Sequence, residues 1–236
     1  MENSSRFFEI SKEMVKYVYV EGTDYFFYQG LVELSDFVVH AAGTKGNDNS
    51  EVKGSSSSDV IRRVKDERKK GVNAFGIIDK DYNTEFDEYI YPIDFYCIEN
   101  IALLNIEEFY ELRRALEQLI EGNIGVYRLW LLELKLVRNA DRRVETFEIN
   151  KVRELSDNIK SYFESVINCV QTFMRYMNLK SLIVKYCDFH KQKYGKENQI
   201  KYKSNDLIGK LPESSLKYVF SDSTYLRFNA DIEKIT

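Results

Sequence analysis

Three carboxylates, Glu21, Asp79 and Asp81, are the side chains whose type and spacing best suit chemistry. Asp79 and Asp81 flank a lysine in Ile77-Ile78-Asp79-Lys80-Asp81. Hard divalent cations such as Mg²⁺ or Mn²⁺ take carboxylate oxygens and keep several waters. A cation held in this way polarises a phosphoryl oxygen and helps to generate or steer a nucleophile. The chemistry expected of the trio is therefore metal-dependent phosphodiester cleavage, with the three acids as ligands and Glu21 also a candidate base. Asp24, three residues after Glu21, reads equally as a further metal- or water-holding group and as a helix cap.

These acids need elements that bring them together, and the local pattern supplies them. Lys16-Tyr-Val-Tyr-Val-Glu21 alternates and is rich in β-formers, so it reads as a strand ending at Glu21. Gly22-Thr23 breaks it, and Thr23 or Asp24 opens a helix with Phe27, Leu31 and Leu34 on one face. Phe37 to Ala42 reads as a second strand. Gly43 to Ser58 is turn and loop chemistry, with four consecutive serines from Ser55 to Ser58. Asp59 to Lys70 reads as a charged helix with Val60, Ile61 and Val64 inward. Ala74 to Asp79 is a strand apolar on both faces, and Tyr89 to Ile98 is extended, with Pro92 at an edge or turn. Strand, helix, strand, helix, strand predicts a parallel sheet with crossover helices. Sites on such sheets form at the carboxyl ends of strands, where Glu21 and Asp79 fall. An acid ending an apolar strand is costly unless it is paired or metal-bound.

After Glu99 the pattern changes. Ile101 to Ile120 reads as helical, and so does the apolar stretch Ile124 to Leu136, whose Val126–Leu136 run is expected to be core or a homodimer face. Phe147 to Tyr194 reads as one or two long helices, and Tyr202 to Thr236 as short mixed pieces. The expected organisation is an α/β domain over residues 1–105 and a mostly helical domain over 106–236.

Composition narrows the function classes. A hydrophobic fraction of 44% supplies a core. The three cysteines, Cys97, Cys169 and Cys187, are scattered, which suits a reducing compartment and burial as small hydrophobes. The apolar runs are too short for a membrane span, and the first residues lack a signal-peptide core, so the expectation is a cytoplasmic protein with no membrane partner. No Gly-x-x-x-x-Gly-Lys-Ser/Thr occurs, which speaks against P-loop ATP hydrolysis. Two histidines, His40 and His190, without a Gly-x-Ser-x-Gly, speak against a serine hydrolase. Cys187-x-x-His190 is half of a zinc pattern with no second pair. Net charge is −4 overall, yet residues 1–105 carry −7 and residues 106–236 carry +3. Lys191, Lys193, Lys196, Lys201 and Lys203, interleaved with Tyr194 and Tyr202, read either as a surface that tracks a polyanion or as a solvated helix end.

Val20-Glu21-Gly22 followed by Asp79-Lys80-Asp81 resembles the TOPRIM pattern of a strand-ending Glu-Gly and a later Asp-x-Asp. The closer likeness is to a bacterial domain-of-unknown-function family in the OLD-like TOPRIM group. It rests on Tyr19-Val-Glu-Gly-Thr-Asp-Tyr-Phe-Phe-Tyr28, on Gly54-Ser-Ser-Ser-Ser-Asp-Val60, on Ile77-Ile-Asp-Lys-Asp-Tyr82 and on Phe95-Tyr-Cys-Ile-Glu-Asn100. That family is similar to the nuclease component of the PARIS anti-phage system. The resemblance implies a TOPRIM-like fold, a metal-dependent nuclease acting as a toxic effector on RNA such as tRNA or on DNA, and an ATPase partner. It implies Glu21, Asp79 and Asp81 as catalytic metal residues, Asp24 as a further acidic position, and Glu99, of the Ile-Glu-Asn element, as an additional metal-shell residue. For Glu99 the alternative is a helix-start acid facing the dipole. Two other functions stay open: a non-catalytic interaction module, and a housekeeping RNA-processing nuclease.

Overall fold

The computed structural model describes residues 15–22, 24–32, 37–43, 56–203 and 205–235. Thr23, Leu34 and the loop expected to hold Gly54 and Ser55 lie outside the described residues. The chain runs through β1 (Lys16–Val20), α1 (Tyr25–Leu31), β2 (Phe37–Ala41), α2 (Ser57–Lys69), β3 (Asn73–Ile78) and β4 (Ile90–Pro92). There follow α3 (Ile98–Asn105), α4 (Tyr110–Ile120), α5 (Ile124–Tyr127), β5 (Trp130–Arg138), β6 (Val144–Glu154), α6 (Asp157–Val166), α7 (Val170–Tyr176), α8 (Lys180–Tyr194), α9 (Asn205–Ile208), α10 (Leu216–Val219) and α11 (Asp222–Glu233). Two compact units form. One takes the chain up to Ile78 together with Phe86–Pro92 and the residues from Ser215; the other takes Asp79–Glu85 and Ile93–Ser214.

The first unit is a mixed α/β layer. Its four strands lie in the order β2-β1-β3-β4, and every pairing is parallel. The register sets Tyr19 beside His40 on one side and beside Gly76 on the other. Tyr19, Ala74 and Ile78 pack with Val60 and Val64 of α2. The alternate residues Val18 and Val20 are fully buried and face the other way. Helix α2 starts where Ser56 and Asp59 cap each other: the Ser56 backbone N–H and hydroxyl both donate to Asp59 Oδ2 at 3.0 Å. Helix α11, capped by the Ser221 hydroxyl on the Thr224 N–H, brings Phe228 against Phe37, Phe75 and Tyr91. The Tyr91 hydroxyl donates to Asp231 at 2.8 Å.

Gly76 is where α2 approaches the sheet most closely. A Cβ there would stand 2.7 Å from Ile90 Cδ1, 2.9 Å from Val60 Cγ1 and 3.2 Å from Val64 Cγ2. Gly76→Val is expected to cost about 3 kcal/mol by overpacking, read as a lower urea midpoint at an unchanged slope.

The second unit is mostly helical, with one exception that corrects the sequence reading. Ile124 to Leu136 is not a helix: only Ile124–Tyr127 is helical, and Trp130–Arg138 pairs antiparallel with Val144–Glu154 as a two-stranded ribbon. Leu134 and Ile149, and Leu136 and Phe147, are cross-strand pairs on one face. Phe147 lies edge-on to Tyr186 and Phe189 of α8, so this face packs on α8, with Leu134 buried and Leu136, Phe147 and Ile149 half-buried. The expected long helices over Phe147 to Tyr194 are likewise replaced by the end of β6 followed by α6, α7 and α8. Among the described residues, no helix is long and apolar enough to cross a membrane.

Candidate metal and phosphate site

Glu21 directly follows β1, and its backbone carbonyl accepts from the Asp24 N–H at 3.3 Å. Gly22 turns the chain with φ +49°, a left-handed backbone in which a side chain is strained. Asp24 stands at the N-cap of α1, but its side chain makes no capping hydrogen bond. Of its two sequence readings, side-chain capping is therefore not the one the structure adopts.

Asp79 directly follows β3 in sequence and opens the acidic loop of the second unit. Lys80, between the two aspartates, is held elsewhere: its ammonium donates to Asp94 Oδ1 at 3.2 Å and sits 4.9 Å from the Tyr176 ring centre. Asp94 also accepts from Arg175 Nη2 and the Tyr176 hydroxyl, both at 2.9 Å. Tyr82 is enclosed by Tyr96 and Phe163, and its hydroxyl accepts from the Asn178 N–H at 3.0 Å. The loop is thus pinned on both sides of Asp81.

Asp81 itself has φ +47°, a left-handed backbone that Asp adopts more readily than most residues with a side chain. Its N–H donates to the Tyr96 carbonyl at 3.1 Å. Burial pushes its carboxyl above the usual range, against the opposing pull of the Tyr96 hydroxyl and the Lys180 charge. A carboxyl raised on folding contributes stability below its ordinary pKa and loses it as pH rises through the folded value. Asp81→Asn removes that loss and keeps a residue that tolerates a left-handed backbone. The expected result is a higher melting temperature at pH 7 than wild type without metal, with the gap closing as pH falls to 4.

Glu99 lies in the first turn of α3 and has no exposed surface. Among the described residues, neither carboxylate oxygen makes a hydrogen bond of good geometry. Two ammonium groups meet the same oxygen, Oε1: Lys180 at 3.3 Å and Lys203 at 3.5 Å. Burial works to protonate Glu99, but the Cys97 thiol and the two lysines outweigh it and bring the carboxyl below its usual range. Burial also opposes the charge on Lys180, yet Glu99, Cys97 and Asp79 raise its pKa above the ordinary value. The Lys180 ammonium is thus paired by distance with Glu99 of α3, and Asp79 acts on it through its charge.

Asn100 fixes where that ammonium stands. It is fully buried, donates from Nδ2 to the carbonyls of Met174 at 2.7 Å and Met177 at 2.9 Å, and accepts from Cys97 Sγ at 3.0 Å. Met174 lies in the last turn of α7 and Met177 at its C-cap, just ahead of α8, whose first helical residue is Lys180. A lysine at a helix N-terminus opposes the dipole and needs a nearby anion.

Sequence reading missed Lys180, Asp94 and Arg175. The signal for Lys180 was its place at a helix start, hidden while residues 147–194 read as one or two long helices. Lys203 was read as part of a polyanion-tracking surface or of a solvated helix end; here it meets Glu99. Tyr202 lies against Phe109, and Tyr194 against His190, with Lys193 over the Tyr194 ring. The half zinc pattern is structural: Cys187 is buried, and His190 Nδ1 meets the Asn198 carbonyl at 3.0 Å.

Among the described residues, no group of three or more His, Cys, Asp or Glu side chains is gathered closely enough to hold a metal ion. One observation bears on a cation: Glu99 Oε2 is a fully buried carboxylate oxygen that makes no hydrogen bond of good geometry among the described residues, although the Cys97 thiol lies near the carboxylate. Oxygen-only donors suit Mg²⁺ or Mn²⁺ better than zinc. Compared with known protein families, the chain matches no family model. Neither a curated protein nor a solved structure matches it.

Proposed function

We propose that this protein is a metal-dependent nuclease of TOPRIM-like fold, in which Glu21, Asp79 and Asp81 hold Mg²⁺ or Mn²⁺. The observation that carries this reading is the strand order. From β1 the chain steps to one side for β2 and then returns across β1 to place β3 on the other. Ligands of open parallel sheets bind at such a reversal, outside the carboxyl ends of the two strands. The residue after β1 is Glu21, and the residue after β3 is Asp79.

Asp24 and Glu99 are the further oxygen donors in this proposal. When bound, the cation would polarise a phosphoryl oxygen and ease deprotonation of a water. The chain's own residues do the rest. Glu21 accepts the proton of the attacking water. The pinning of Lys80 on Asp94 holds Asp79 and Asp81 in one loop geometry, as preorganised catalysis requires. The Lys180 ammonium offers positive charge to a phosphate oxygen.

The substrate is RNA, such as tRNA, or DNA. In the defence setting that the sequence resemblance implies, the nuclease is a homodimeric toxic effector controlled by an ATPase partner. Purified protein is expected to cut labelled tRNA or plasmid DNA with Mn²⁺ and not with EDTA. Intact substrates under both conditions would overturn the nuclease reading.

One observation favours a second reading, a non-catalytic interaction module. Glu99 already has two lysine counter-ions, so its charge is met without metal. Calorimetry separates the two: a module gives no heat of Mn²⁺ binding.

A further inference from the structure

The tip of the β5–β6 ribbon gathers positive charge and backbone strain in one short segment. Residues 138–143 hold Arg138, Arg142 and Arg143 against one acid, Asp141, and all three arginines are exposed. The turn is closed by its own backbone. The Arg142 N–H donates to the Asn139 carbonyl at 3.0 Å, and the Asn139 N–H donates to the Arg143 carbonyl at 3.1 Å. Asn139 Oδ1 accepts from the Arg143 N–H at 2.9 Å. Short hairpin turns of this kind place one residue in a left-handed backbone, and glycine is the usual occupant. Here that residue is Arg142, with φ +61°. A side chain is strained in this conformation.

Like charge adds to the strain. Arg138 Nη1 donates to the Arg142 carbonyl at 3.2 Å, which folds its guanidinium over the turn toward the other two arginines. Glu145 Oε1 is engaged by the Asn139 side-chain amide at 2.9 Å. Among the described residues, none of the three guanidinium groups forms an ion pair with a carboxylate. Neither the strain nor the repulsion serves the fold, since glycine at position 142 closes the same turn without either. A bound polyanion offsets both. The planar fork of arginine meets phosphate oxygens two at a time. Three forks on an exposed tip suit successive phosphates of a strand better than one small enclosed anion.

We propose that the tip of the β5–β6 ribbon is a nucleic-acid docking arm, in which Arg138, Arg142 and Arg143 engage backbone phosphates. This deepens the nuclease reading above and rests on it for the identity of the polyanion. The arm has a fixed base: Phe147 packs on Tyr186 and Phe189, and Glu133 pairs with Lys185 at 2.5 Å.

The test uses the whole protein in EDTA, so that binding is read apart from cleavage. Fluorescence anisotropy with labelled tRNA and with a short duplex DNA is measured over a series of salt concentrations. Wild type is compared with Arg142→Gly, with the double variant Arg142→Gly/Arg143→Ser and, as a control, with Arg114→Gln, an exposed arginine of α4. Arg142→Gly is expected to unfold at higher urea than wild type, because the strain is gone, and yet to bind more weakly. The double variant is expected to lose about tenfold in affinity, and the salt slope to become shallower by about 1 for each arginine removed. The control should match wild type. The probe whose binding falls in this way identifies the strand as RNA or DNA. Wild-type affinity and salt slope in the double variant overturn the arm, and Mn²⁺-dependent cleavage by wild type then leaves the nuclease reading standing. Binding through the arm without cleavage in Mn²⁺ keeps the arm and overturns the nuclease reading. A wild type that binds neither probe but does bind phosphatidylserine vesicles overturns the arm in favour of a membrane surface.

Discussion

Asp79→Asn is expected to lower metal-dependent cleavage at least about 10³-fold, the equivalent of roughly 4 kcal/mol of transition-state stabilisation. The substitution is nearly isosteric and removes one negative charge, so its effect falls on cation binding more than on packing. Glu21→Gln should fall as far, since in the proposed site both acids hold one cation. The double variant should be little worse than either single one, because groups that act as a unit lose their effect together. Initial rates on labelled tRNA and plasmid with Mn²⁺ measure this. A wild-type rate in Asp79→Asn, or effects of the two substitutions that multiply, would contradict a shared cation.

The second large effect is on stability. Asn100→Leu keeps the approximate volume but deletes the two donations to Met174 and Met177 and the acceptor for Cys97. A buried carbonyl left without a donor costs about 1–3 kcal/mol, so a total of about 4 kcal/mol is expected, measured by urea unfolding with slope and midpoint fitted separately. The turn that presents Lys180 loosens in the same variant. Its Mn²⁺ affinity should therefore change even in the fraction that stays folded. A loss below about 1 kcal/mol would mean that Asn100 is not what ties α3 to the end of α7.

The first unit was largely legible in the sequence. Lys16–Val20 alternates and is rich in β-formers, although the structure buries it on both faces, Ala74–Ile78 is apolar on both faces, and Asp59 with the preceding serines signals a helix start. Parallel pairing follows from the alternation of strands with helices, and the placement of Glu21 and Asp79 at strand ends follows from the breaks after Val20 and Ile78. The second unit was less so, for an identifiable reason. Ile124 to Leu136 is apolar almost throughout, and a continuous apolar run does not distinguish helix from strand. The distinguishing pattern was narrower: Leu132-Glu-Leu-Lys-Leu136 and Phe147-Glu-Ile-Asn each alternate, around a polar turn at Asn139-Ala-Asp-Arg142. Charge pairing was the least legible. Lys203 looked like part of a solvated basic stretch, and nothing local says that it meets Glu99, more than a hundred positions earlier. Asn100 is similar, because its partners come from the end of α7, a helix boundary that the reading of one or two long helices did not place.

The most direct test of the central claim is anomalous diffraction from crystals grown with Mn²⁺. The account predicts one strong manganese peak with carboxylate oxygens of Glu21, Asp79 and Asp81 about 2.1 Å away. A peak bound elsewhere, or none at millimolar Mn²⁺ with these acids well ordered, would contradict it.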